Sequence, residues 1–143
     1  MKTIVTVNGC FNGLHPGHLF YLGFARGQGD ELVVGINSDD YIRNSKKYEP
    51  IPAIERAKAL MDLGFIYRVV IFEEPDPRVF IRAVCPDVHC IAEEYGKNCI
   101  EFPVCQEIGI RIAFIPRVGK WSTRAILKGE IPNEGNLKVL PST

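Results

Sequence analysis

His15 and His18 stand three residues apart in the run Gly9-Cys10-Phe11-Asn12-Gly13-Leu14-His15-Pro16-Gly17-His18, between a β-branched stretch and an apolar one. Two of the chain's three histidines fall in that four-residue span. Two imidazoles, gathered with free backbone N–H groups and Gly17 at the mouth of a helix, form an anion site suited to phosphate. An incidental pair of surface histidines is the plainer reading, but it leaves the clustering at a strand end unexplained.

A second constellation is Pro116-Arg117-Val118-Gly119-Lys120-Trp121-Ser122-Thr123-Arg124. Ser122 and Thr123 offer hydroxyls and the first amides of a helix, and the fork of Arg117 can grip two phosphate oxygens. An ordinary capped helix would account for Ser122. It would not account for Arg111, Arg117, Lys120, Arg124 and Lys128 occurring over residues 111–128 without one acidic residue. Between the two constellations lies the basic run Arg43-Asn44-Ser45-Lys46-Lys47, in which Lys46 and Lys47 are equally available phosphate donors; a solvated basic loop explains it equally well.

Positioning these loops requires strands and helices in alternation. Residues 3–8 are rich in β-branched side chains and stop at Gly9, as a buried strand does. Residues 18–26 are long and apolar enough for a helix, ended by Gly27 and Gly29, and 31–37 form the second strand. After a polar stretch over 37–52, residues 53–63 place Ile54, Ala57, Leu60 and Met61 at helical spacing, and 67–72 follow as a strand. Helix is expected over 77–84 and 100–108, strand over 88–92 and 111–115, and a closing helix from Ser122 to Lys128. Residues 130–143 lack periodicity and read as a tail, leaving one domain over 1–129. Such alternation implies right-handed crossovers and one doubly wound, Rossmann-like parallel sheet covered on both faces, with ligands beyond the carboxyl ends of the strands.

The 143-residue chain has 17 basic and 17 acidic residues and 46% hydrophobic content, so it makes one globular core and carries no bulk charge to hold a nucleic acid or anionic lipid. It contains no apolar run of membrane-spanning length and no secretion signal, so a cytoplasmic location is expected. Five cysteines, an odd number, point to reduced thiols, and the spacing of Cys85, His89, Cys90, Cys99 and Cys105 matches no closed zinc pair. Gly27-Gln28-Gly29 ends a helix and lacks the third glycine of a dinucleotide fingerprint, and no GxxxxGK[ST] loop is present.

The Gly-Cys-Phe-Asn-x-x-His-Pro-Gly-His run resembles the G-[TC]-F-D-x-x-H-x-G-H signature of the cytidylyltransferase-like nucleotidyltransferases. The continuation Tyr21-Leu22, Ala25-Arg26, Gly29-Asp30 and Gly35-Ile36-Asn37-Ser38-Asp39 is most similar to the adenylyltransferase domain of the bacterial heptose enzymes, with glycerol-3-phosphate cytidylyltransferase next. The likeness runs from about Thr3 to Lys128. It implies a sheet domain of the HxGH type and transfer of a nucleoside monophosphate, AMP or CMP, from ATP or CTP to a small phosphorylated acceptor, releasing pyrophosphate. Magnesium would arrive with the triphosphate, with no protein side chain assigned to it.

The resemblance assigns roles residue by residue. His15 and His18 donate to the α- and β-phosphates, while Lys47, placed by the spacing from Asp39 to Arg56, or its neighbour Lys46, holds pyrophosphate together with Arg117. Gly9, Cys10, Phe11, Asn12, Gly17, Trp121, Ser122, Thr123 and Arg124 surround the nucleotide, and Asn37, Asp39, Arg56 and Glu94 lie on the acceptor side. Family members commonly pair, which suggests a homodimer.

Three departures mark this chain. Asn12 replaces the usual Asp. Ile91-Ala92-Glu93-Glu94-Tyr95 replaces a Lys-Gly-Gly-Asp-Tyr stretch, and Arg124 stands where a second Thr is common, after Trp121. A catalytically silent nucleotide sensor on the same fold is the alternative that the Glu93-Glu94 change permits. The charges are segregated: acids gather at Glu73, Glu74, Asp76, Glu93 and Glu94, bases at residues 43–47 and 111–128. That pattern suits a small, highly charged ligand.

Overall fold

The structure, a computed structural model, describes residues 1–73, 77–93 and 96–116. Its elements are β1 (Ile4–Gly9), α1 (Pro16–Arg26), β2 (Glu31–Asn37), α2 (Asp39–Lys46), α3 (Ala53–Met61), β3 (Arg68–Phe72), α4 (Arg78–Val84), β4 (Val88–Ala92), a turn of 3-10 helix at Gly96–Asn98, α5 (Glu101–Ile108) and β5 (Arg111–Ile115). The strands form one parallel sheet in the order β3-β2-β1-β4-β5. The chain therefore starts in the middle of the sheet, winds outward to β3, and crosses back to lay β4 on the free side of β1. This is the expected doubly wound arrangement, and its reversal point lies between β1 and β4.

Alternating side chains serve both faces of the sheet. Val5, Val7, Leu32, Val34 and Ile36 pack under α1 and α3 through Leu22, Ala25 and Leu60. Val33 and Phe72 meet Phe80 and Ile81 of α4 and Val104 and Cys105 of α5. Gly35 faces this second layer, where an added Cβ would lie 2.7 Å from the Phe80 ring. Phe80 can sit flat on the sheet, stacked on Phe72 with centroids 5.7 Å apart, because that position has no side chain. Burying such a ring contributes about 1.5–3 kcal/mol.

Two expectations need correction. The polar stretch after β2 contains α2, begun by Ser38, whose Oγ accepts from the Tyr41 N–H at 3.2 Å. The signals were a cap residue, Asp39 and Asp40 in the first turn and Arg43 and Lys46 in the last, but the single buried apolar side chain, Ile42, gave no stripe to find. In α3, which stops at Met61 ahead of Gly64 at φ +88°, the buried residues are Ala53, Arg56 and Leu60. Ile54 is 76% exposed and Met61 43%, so the inward stripe is rotated and carries an arginine. The other boundaries agree to within one or two residues. The closing helix over Ser122–Lys128 and the tail over 130–143 lie outside the described residues. Among those described, no helix is long and apolar enough to cross a membrane.

Candidate functional site

A cleft of about 830 Å³ opens where the strand order reverses. Asn8 and Gly9 at the end of β1, with Cys10, Phe11 and Asn12 of its loop, form the floor; Ile91 and Ala92 of β4 form the far side. His18 and Tyr21 enter from α1, Asn37 from β2, and Tyr41 and Lys46 from α2, with Tyr48 just beyond. Cys99, Ile100 and Glu101 close the remaining wall. The sequence reading thus placed Gly9, Cys10, Phe11, Asn12, His18, Asn37 and Lys46 at one site. It missed the tyrosines and Glu101, whose only signal was proximity to strand ends.

The histidine pair is a helix cap. His15 is the N-cap of α1, with Pro16 at the first helical position; its Nδ1 accepts from the Gly17 N–H at 3.1 Å and from the His18 N–H at 3.4 Å. His18 Nδ1 in turn accepts from the His15 N–H at 3.3 Å, a capping box built of imidazoles. The amides of Gly17 and His18, expected to be free for an anion, are therefore occupied. Because each ring accepts at Nδ1, the neutral tautomer of each carries its proton on Nε2. The rings stack at 3.8 Å, and Phe11 meets His18 edge-on at 5.3 Å. Burial, aided by His15, pushes His18 down to about 4 against a hydrogen bond to the Gly13 backbone; burial lowers His15 as well. Both are neutral donors at neutral pH. Phe11 holds its place with a left-handed φ of 48°, a strained conformation of the kind found where function requires it.

Arg56 occupies a different position from the one expected. Only 2% exposed, it cannot touch an acceptor; it fastens the loops from below. Nε donates to Ile51 O at 2.7 Å, Nη1 to Cys10 O and Asn37 O at 2.9 Å each, and Nη2 to Asp39 Oδ1 at 2.6 Å. Its expected role as an acceptor contact is corrected to one of positioning, and Asp39 is committed to the same hub. Asn12 Oδ1 accepts from the Ile51 N–H at 2.7 Å, a bond an aspartate oxygen would also make. The Cys10 thiol donates to Asn37 Oδ1 at 3.4 Å; burial, opposed by Lys46 and Arg56, pushes it up, so it remains a thiol.

Of the basic run, Arg43 is drawn off to Asp40 and Glu49 at 2.7 Å each. Lys46 lines the cleft, whereas Lys47 caps the end of α2 with φ 64° and is not on the cleft wall. The cleft thus takes Lys46, while Lys47, which the resemblance places in the catalytic set, lies off its wall. His15 backs His18, and Gly17 lies under the cap. Glu94, Arg117, Trp121, Ser122, Thr123 and Arg124 lie outside the described residues. All five cysteines are free; burial raises Cys90 to about 12 and Cys105 to about 11, as befits core thiols. Among the described residues no group of three His, Cys, Asp or Glu could hold a metal ion.

The Cytidylyltransferase-like family profile matches residues 6–115. The chain is 40% identical over 130 residues to the bifunctional protein HldE of Campylobacter curvus and 42% identical to that of Campylobacter concisus, covering 89% of this chain and 27% of each relative. It spans about a quarter of the length of these curated relatives. The lipopolysaccharide core biosynthesis protein of Thermoplasma volcanium superposes with a TM-score of 0.67 at 28% identity, covering 85% of this chain and all of that one. Pantothenate synthetase of Thermus thermophilus shares the fold at a TM-score of 0.62 and 14% identity, over 96% of this chain and 64% of that one. With a strand-end cleft headed by the His15–His18 cap and a family match over most of its length, this chain belongs to the cytidylyltransferase-like family.

Proposed function

We propose that this protein is a nucleotidyltransferase that transfers AMP or CMP from ATP or CTP to a small phosphorylated acceptor and releases pyrophosphate. The observation that carries the reading is the imidazole cap of α1, whose His18 lines the same cleft as Lys46 at the sheet's reversal point. An acceptor phosphate oxygen is already deprotonated at neutral pH. It attacks the α-phosphorus, the bond to the bridging oxygen breaks, and the electron pair leaves with pyrophosphate. No general base is required; the difficulty is to bring two polyanions together, and catalysis is positioning and charge neutralisation.

His18 exchanges its bond to the Gly13 backbone for a hydrogen bond from Nε2–H to a phosphate oxygen as charge builds there, and Lys46 holds the leaving pyrophosphate by charge. His15 holds the first turn of α1 and faces the same ring. Arg117, Ser122 and Thr123, assigned by resemblance, are proposed to complete the triphosphate grip. Magnesium is proposed to enter on the triphosphate, keeping most of its ligands as water and phosphate. When bound it would neutralise phosphate charge. A sugar phosphate is the preferred acceptor, in keeping with the lipopolysaccharide core protein among the similar structures.

A pyrophosphate-release screen with four nucleoside triphosphates against sugar phosphates, glycerol phosphate and simple phosphonates tests this. Release that requires one nucleotide and one acceptor is expected. Tight nucleotide binding without release for any acceptor would make the protein a sensor instead.

A further inference from the structure

We infer that Glu101 is a specificity-determining residue that accepts hydrogen bonds from a hydroxyl-rich, uncharged portion of a substrate, and that buried His89 positions its carboxylate. The inference rests on the nucleotidyl-transfer reading and assigns a chemistry to a wall of the cleft that the phosphate-binding groups leave unused. Among the described residues those groups come from α1 and α2. Glu101, the first residue of α5, comes from the connection after β4, beside Cys99 and Ile100. A carboxylate there repels phosphate and attracts O–H donors, so the cleft has an end for anions and an end for neutral polar groups.

His89 supplies the second observation. It is fully buried at the centre of the sheet, and its Nδ1 lies 2.7 Å from Thr6 Oγ1. Its Nε2 has no hydrogen-bond partner, yet Glu101 Oε1 lies 3.8 Å away, beyond hydrogen-bond reach. A small swing of the glutamate closes that gap, so the ring acts as a stop behind the carboxylate. Glu101 is 15% exposed, and contacts from His89, Cys99 and Asn8 hold its carboxyl below the ordinary range although burial alone would raise it. An ionised carboxylate has about four acceptor positions, which leaves capacity for a ligand hydroxyl. The matching chemistry is a polyol, either the ribose of the nucleotide or the sugar or glycerol body of the acceptor.

Calorimetric titration of the full chain distinguishes these sources. The probes are ATP and CTP against their 2′,3′-dideoxy forms, and hexose phosphate and glycerol phosphate against propyl phosphate. Glu101→Ala is expected to weaken the hydroxyl-bearing member of one pair at least about tenfold and leave its hydroxyl-free partner within about twofold, with Glu101→Gln between. In turnover, KM for that substrate rises while kcat stays within about threefold. His89→Gln, which keeps an N–H directed at Glu101, is expected to preserve affinity, whereas His89→Leu reproduces the Glu101→Ala selectivity; should the leucine variant not fold, the Glu101 variants decide alone. Unchanged affinities in Glu101→Ala, or equal losses for both members of every pair, would overturn the inference while leaving the transfer reading intact. Wild-type protein that binds no triphosphate would overturn both.

Discussion

Arg56 Nη2 lies 2.6 Å from Asp39 Oδ1, joining the interior of α3 to the first residue of α2. Through the same guanidinium, the loop after β1 and the end of β2 are tied to that pair. Four of the five guanidinium N–H groups are committed by these bonds and the one to Ile51 O. Three loops that carry cleft residues therefore share one rigid support.

Replacing Arg56 with Met is expected to lower stability by about 3 kcal/mol, the low end for removing one partner of a buried pair, because Asp39 retains some solvent. Urea unfolding measures the loss. Arg56→Lys keeps the charge but not the fork and should recover only part of it. A shift of the midpoint within error for both variants would contradict the hub.

His18→Ala is expected to reduce turnover at least about a hundredfold, the effect of losing one transition-state donor. Far-UV circular dichroism should show the fold intact. Near-normal pyrophosphate release would remove His18 from the reaction.

Stability should depend on pH through the same ring. The folded His18 titrates at about 4 against an ordinary 6.5, so between those values the unfolded chain binds more protons. Stability therefore rises with pH across that window and is lost as pH falls from about 6.5 towards about 4, with His15 adding in the same direction. Denaturant melts of wild type and His18→Gln at several pH values test the sign: the variant's profile should be flatter over that range.

Lys46→Ala should raise KM for the triphosphate about tenfold, the loss of one hydrogen bond to a charged group, with Lys47→Ala within about twofold of wild type. Steady-state kinetics with varied nucleotide separates the two. The reverse order would return the pyrophosphate contact to Lys47.

Much of the fold was legible because its signals are local and repeated. β-Branched runs ended by Gly or Asn located β1 and β2, and alternation with helices gave the parallel sheet and its strand-end cleft. The histidine motif pointed to the cleft because it lies between a strand end and a helix start, where ligands bind in such sheets. What escaped depends on tertiary partners. The resemblance puts Arg56 on the acceptor side; three backbone carbonyls and a carboxylate meeting at one point are not visible in the chain. Family spacing favours Lys47 over Lys46, but spacing does not reveal that Lys47 is the left-handed cap of α2 while Lys46 lines the cleft. Glu101 went unnoticed because its neighbours His89 and Asn8 belong to strands that meet only when the sheet forms.

The imidazole cap has a thermodynamic corollary. The paired imidazoles exist as a set only while the first turn of α1 is wound, since that turn supplies the amides which orient both rings. An unfolded chain presents no such pair, so a phosphate ligand binds the native state alone. Ligand at a hundred times its Kd would then raise the unfolding free energy by about 2.7 kcal/mol, and the shift in Tm on adding each candidate nucleotide would reveal the true ligand before any turnover is measured.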